Sequence, residues 1–145
     1  RFIELMPMGE TGYFNLQRLV PMAEILERAG LLEPLIEHER PLGHGPALYF
    51  RSPGSRGTVG VISAMSRNFC ASCNRVRLSA RGILVPCLDG DDGVDLFTAL
   101  REGTSDAALE ELILDVIARK PERHRMLERA EEQAVSARSM CSIGG

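Results

Sequence analysis

Three cysteines lie close together in the chain and a fourth lies far from them: Cys70, Cys73, Cys87 and Cys141. Cys70-Ala71-Ser72-Cys73 puts two residues between the first pair of thiols, and thirteen residues separate Cys73 from Cys87. Thiolates are soft ligands, suited to zinc and to iron–sulfur clusters. No secretory feature accompanies them, so metal binding is a better reading than a disulfide framework. Structural zinc takes four closed tetrahedral ligands, and Cys141, His38 or His44 could supply the fourth. A [4Fe–4S] cluster usually takes four cysteines; held by three, it keeps one iron open to a substrate. Spacing alone does not choose between these. The plain alternative, three unliganded cysteines serving as small core hydrophobes, asks for a coincidence of spacing.

Cys73 leads into Asn74-Arg75-Val76-Arg77. Alternate residues of a strand share a face, so Arg75 and Arg77 are expected to project side by side next to the metal. Planar guanidinium forks match phosphate oxygens. From Pro41 to Leu88 the chain has no Asp or Glu, but it has Arg51, Arg56, Arg67, Arg75, Arg77 and Arg81. A basic middle between acidic flanks suits a small anionic ligand. The net charge of −3 argues against a nucleic-acid binder. A metal with an open position beside two arginines points to a ligand carrying both a donor atom and phosphates, as a nucleotide does.

These groups need elements to hold them. Arg75–Ser79 and Ile83–Cys87 read as the arms of a hairpin across Ala80-Arg81-Gly82, which would bring the Cys70–Cys73 pair and Cys87 to one point. Phe2–Met6 reads as a buried strand ended by Pro7 and Gly9. Pro21–Ala29 reads as a helix with Met22, Ile25, Leu26 and Ala29 on one stripe and Gly30 as its cap. Ala47–Arg51 and Thr58–Met65 read as strands around a turn-rich link. Asp95 opens a helix through Leu100, closed by Gly103. Ser105 or Asp106 starts another, with Leu109, Leu112, Ile113 and Val116 on one face, broken at Pro121. A last helix is expected over Glu122–Ala137.

The 145 residues suffice for a domain with a real core. A hydrophobic fraction of 44% and a charged fraction of 26% favour neither disorder nor a fibrous class. No apolar run approaches the roughly 18 residues of a membrane span, and the opening Arg1-Phe2-Ile3-Glu4-Leu5-Met6 does not read as a signal peptide. The chain is expected to be cytoplasmic, without a membrane partner, and to be part of a longer protein.

The same residues carry a resemblance. Arg1-Phe2-Ile3-Glu4-Leu5-Met6-Pro7-Met8-Gly9, Ile62-Ser63-Ala64-Met65-Ser66, Phe69-Cys70-Ala71-Ser72-Cys73-Asn74-Arg75-Val76-Arg77-Leu78, Lys120-Pro121 with His124, and Ser139-Met140-Cys141-Ser142-Ile143-Gly144-Gly145 together resemble the C-terminal part of GTP 3′,8-cyclases. These are radical enzymes of molybdenum cofactor biosynthesis. The resemblance implies an α/β fold: over 1–40 the closing strand and helix of an incomplete (β/α) barrel, and over 41–145 a small antiparallel sheet with covering helices. It implies that the longer enzyme cleaves S-adenosylmethionine at a first [4Fe–4S] cluster in its N-terminal half. Hydrogen is then taken from C3′ of GTP, and the sugar closes onto C8 to give 3′,8-cyclo-7,8-dihydro-GTP. Cys70, Cys73 and Cys87 would hold a second [4Fe–4S] cluster that binds guanine. Arg1, Arg75, Val76 and Arg77 would line the GTP site, Met6 would touch S-adenosylmethionine, and Gly144 and Gly145 would enter the active site. Expected partners are GTP, the protein's own radical half, a downstream cyclic pyranopterin monophosphate synthase and a second copy in a homodimer. Without a Cys-x3-Cys-x2-Cys motif, this part by itself is expected to be inactive. Two positions depart from the family pattern: Arg67, where His is commoner, and Cys141, where Ser is commoner.

Overall fold

The computed structural model describes residues 1–9, 12–30, 34–39, 43–132 and 140. It is a mixed α/β arrangement with two separate sheets and, among the described residues, no closed barrel. This accords with the expected α/β class. Two compact units divide the chain: Arg1–Pro7 with Phe14–Phe69, and Met8–Tyr13 with Cys70–Gly145.

The first unit is a four-stranded sheet with a helix. Its strands are β1 (Phe2–Ile3), β2 (Ile36–His38), β3 (Leu48–Arg51) and β4 (Val59–Ile62), in the order β1-β4-β3-β2. β1 runs parallel to β4, with Phe2 beside Val61; β3 is antiparallel to both β4 and β2. Helix α1 (Met22–Gly30) presents the expected stripe: Met22 and Ile25 are buried with Val61, and Leu26, Leu48, Phe50 and Val59 pack around them. Gly30 is the last helical residue, not a cap beyond it. The short strand β2 has no alternating apolar signal in the sequence; it exists because β3 offers it a ladder.

Two strands end earlier than hydrophobicity suggests, for one reason. Glu4 is 2% exposed. Its Oε1 accepts from Met22 N–H at 2.7 Å and from the Ser66 hydroxyl. Its Oε2 accepts from Met65 N–H at 2.7 Å and from Ser66 N–H at 2.8 Å. The segment expected to continue β4 to Met65 turns off after Ile62 to deliver these donors. β1 stops at Ile3, where Glu4 N–H makes a last bond to Ile62 O at 3.0 Å. The same carboxylate satisfies the first free N–H of α1, a favourable place for negative charge.

The second unit holds β5 (Arg77–Leu78), β6 (Ile83–Val85) and β7 (Val94–Asp95), antiparallel in that order, with helices α2 (Leu96–Arg101), α3 (Asp106–Ala118) and α4 (Met126–Glu131). α2 and α3 pack on β6 and on each other. Leu84, Val85, Val116, Met126 and Ala130 are buried. In α3, Leu109 and Leu112 are half-buried with Val116 beneath, whereas Ile113 faces outward. The predicted hairpin exists, with arms shortened to β5 and β6. Gly82 has φ of +77°, and a Cβ there would stand 2.5 Å from Phe97 Cβ, so the turn needs glycine for both shape and space. The last helix spans only Met126–Glu131: residues 122–125 of its expected range are described and not helical, and residues 133–137 lie outside the described residues.

Ser105 and Asp95 act as the expected caps. Asp95 accepts from Thr98 N–H at 2.9 Å and from the Thr98 hydroxyl at 2.7 Å, and these bonds hold its carboxyl below the usual carboxylate range. A group whose pKa falls on folding stabilises the fold above its unfolded pKa, and that contribution is lost as pH falls through the folded value. Asp95→Ala is therefore expected to lower the urea midpoint at pH 7. The gap to wild type should narrow as pH is taken down from about 4. Asp95→Asn, which still accepts from Thr98 N–H, should show a smaller loss at pH 7, and its gap to wild type should narrow over the same pH range, because the titrating carboxyl is absent from both variants.

Glu4→Gln keeps the shape but turns an NH2 toward two of the four donors. Urea denaturation is expected to show a loss of about 3 kcal/mol, because buried N–H groups lose a charged acceptor. A loss under about 0.5 kcal/mol, the size of an ordinary surface change, would mean that the carboxylate does not organise this unit.

Candidate metal centre

Cys70–Ser72 forms a single 3₁₀ turn, closed by Cys73 N–H donating to Cys70 O at 3.0 Å. Residues three apart eclipse in such a turn, so the two thiols of the Cys-x2-Cys pair lie over one another. Cys87 follows β6 after Pro86, and its carbonyl accepts from Gly90 N–H at 3.2 Å. All three cysteines are half-buried and free of disulfides. Burial pushes the Cys87 thiol pKa up, and the neighbouring Cys70 and Cys73 push it further. The Lys120 charge and the Leu88 N–H oppose that rise. The three thiols are thus within electrostatic reach of one another, as the hairpin reasoning expects.

Reach is not a closed cage. Among the described residues, no three His, Cys, Asp or Glu side chains are grouped as a single metal ion would require. A tetrahedral zinc with bonds of about 2.3 Å needs its sulfurs about 3.8 Å apart. The fourth ligands considered for zinc are not in this cluster's immediate chain segments. His38 and His44 belong to the other unit, and Cys141 lies outside the described residues.

The arginine pair differs from its sequence expectation. β5 begins at Arg77, so Arg75 precedes the strand. The alternation nonetheless persists, with Arg75 and Arg77 half-buried and Val76 exposed. The ladder fails at Arg75 because its carbonyl is taken by another donor. Lys120 Nζ donates to Arg75 O at 2.7 Å and to Pro86 O at 2.8 Å. The far side of Cys87 is pinned as well: Asp89 accepts from Arg125 N–H at 2.8 Å and pairs with Arg129, which also donates to Asp89 O at 3.0 Å.

Arg1 and Met6 belong to the first unit. The Arg1 guanidinium donates to the Tyr49 hydroxyl at 3.0 Å and lies 6.0 Å from the centre of the Tyr49 ring. Met6 is half-buried in the segment after β1. Gly144 and Gly145 lie outside the described residues. Sequence reasoning missed Glu4, Tyr49 and Lys120 as organising residues. For Lys120 a signal existed: it is the only lysine among 17 lysines and arginines.

A family model described as Molybdenum Cofactor Synthesis C matches residues 1–126. A GTP 3′,8-cyclase of Pelotomaculum thermopropionicum is 44% identical over 146 residues, covering all of this chain and 44% of that protein. Those of Hydrogenovibrio crunogenus and Gloeobacter violaceus are 44% and 45% identical, again across the whole chain and 44% and 45% of their own lengths. The chain therefore spans somewhat under half the length of the curated relatives it matches. The match over 126 residues of 145 shows that the chain belongs to the Molybdenum Cofactor Synthesis C family.

Proposed function

We propose that this chain is the substrate-holding part of a GTP 3′,8-cyclase, in which Cys70, Cys73 and Cys87 hold a [4Fe–4S] cluster and Arg75 and Arg77 hold the phosphates of GTP. The observation that carries this reading is the mutual influence of three half-buried thiols in a segment that has arginines and no acids. The donor set fits the group. Three soft thiolates suit iron–sulfur ligation. Cys70, Cys73 and Cys87 would hold the cluster, one thiolate each. When bound, such a cluster supplies an iron without a protein ligand, able to take a donor atom of the substrate.

The chain's own residues do the rest. Cys87 reaches the site protonated at neutral pH, since its thiol is pushed up by burial, so ligation there releases a proton. Arg75 and Arg77 offer bidentate donors to phosphate oxygens and fix the nucleotide's orientation. Val76, between them in the sequence, is assigned to the lining of the same site. Arg1 is assigned to the polyphosphate, Met6 to S-adenosylmethionine, and Gly144 and Gly145 to the active site. The first cluster and the S-adenosylmethionine cleavage belong to the protein's radical half, without which this part is inactive. The product passes to cyclic pyranopterin monophosphate synthase.

Anaerobic reconstitution with iron and sulfide, read by metal analysis and electron paramagnetic resonance, tests this. About four irons per chain are expected, as a cubane requires, with a spectrum that changes on adding GTP. Zinc uptake without iron, and no response to GTP, would make the cysteines a structural site. Cys87→Ser is expected to abolish stable loading. In the reconstituted chain, Arg77→Ala should weaken GTP binding about tenfold, the loss of one charge-assisted pair, while leaving the iron content unchanged. Unaltered GTP affinity in that variant would remove Arg77 from the site.

A further inference from the structure

Lysine occurs once in this chain, at position 120; every other permanently cationic side chain is an arginine. That single ammonium is held between the two segments that carry the thiols. Its backbone is fixed just beyond α3, where Lys120 N–H donates to Ile117 O at 3.1 Å. Its Nζ donates to Arg75 O, two residues after Cys73, and to Pro86 O, one residue before Cys87, at 2.7 and 2.8 Å. The hairpin register pairs Leu78 with Leu84 and Arg77 with Val85, so continued outward it would set Val76 opposite Pro86 and then Arg75 opposite Cys87. Pro86 has no N–H to extend the ladder. Lys120 stands where that rung would be. A compact ammonium with three rotatable donors can serve two carbonyls at once, where a wide planar guanidinium has its donors in a fixed fork.

We infer that Lys120 is a positioning residue of the three-thiol site: its ammonium substitutes for a rung of the ladder, holds the Cys73 and Cys87 segments together, and sets one fixed positive charge beside whatever the thiols bind. The inference rests on the iron–sulfur reading of that site proposed above. It goes beyond that reading by giving a role to a residue that is neither a ligand nor a substrate contact. Two effects follow from one side chain. The clamp acts through backbone geometry and governs retention of the cluster. The charge favours the more negative, reduced state of the site by Coulomb attraction in a partly desolvated setting.

The test compares wild type, Lys120→Met, Lys120→Gln and Lys120→Arg, each checked by circular dichroism and reconstituted anaerobically. Iron per chain is measured, and a one-electron midpoint potential is found by titration with dithionite as external reductant. Lys120→Met and Lys120→Gln are expected to retain less than half the wild-type iron. Their remaining cluster should be about tenfold harder to reduce, a shift of ~59 mV to more negative potential. Lys120→Arg keeps the charge, so it should restore the potential while still losing iron. Wild-type iron content and potential in a folded neutral variant would overturn the inference and leave the site reading intact. Iron loss without a change in potential would also overturn it, because Lys120 would then be only a fold residue. If Lys120→Met does not fold, Lys120→Gln decides. Wild-type chain that takes up no iron would overturn the site reading itself, a result visible before any variant is made.

Discussion

A charge withdrawn from water must gather several opposite partial charges, and each unit of this molecule is arranged around one that does so with backbone groups. In the first unit it is the Glu4 carboxylate, which collects N–H donors from Met22, Met65 and Ser66. In the second it is the Lys120 ammonium, which collects the carbonyls of Arg75 and Pro86. Both interrupt regular structure where they act. β4 ends so that the chain can bring its amides to Glu4, and the cysteine hairpin opens so that Lys120 can enter it. Both also fix a start or an end: Glu4 receives the first turn of α1, and Lys120 follows the last turn of α3.

The regular elements around the thiols are short, so the site is a set of loops fastened at a few points. The 3₁₀ turn sets the Cys70–Cys73 pair. Lys120 joins the two arms before and after the hairpin, and Asp89, tied to Arg125 and Arg129, anchors the chain just past Cys87. Short strands with discrete anchors leave the thiols half-buried and accessible to a ligand, and at Cys87 burial disfavours a bare thiolate. A polar, basic environment then answers the negative charge that ligation brings.

Much of this was legible along the chain. The helix at Met22 follows from an apolar stripe and a proline in its first turn, and Asp95 and Ser105 announce the helices they cap. The hairpin follows from two β-prone runs around Gly82, whose positive φ admits little else. These are local signals, decided within a few residues. β2 gave no such signal, because it is stabilised by its neighbour and not by its own pattern. The overlong readings of β1, β4 and the hairpin arms share a cause: hydrophobicity marks what prefers to be extended, but side chains distant in sequence decide where the ladder stops.

The same division applies to the site. Residue type and spacing determine that three thiols and two arginines share one segment, and thereby the chemistry open to it, because ligand softness and phosphate recognition are properties of the side chains themselves. That Arg75 falls just outside its strand and that one lysine stands between the arms were decided only by tertiary structure. Those outcomes depend on where a helix from much later in the chain delivers its last residue, and hydrogen bonds spanning 34 and 45 positions leave no trace in local periodicity.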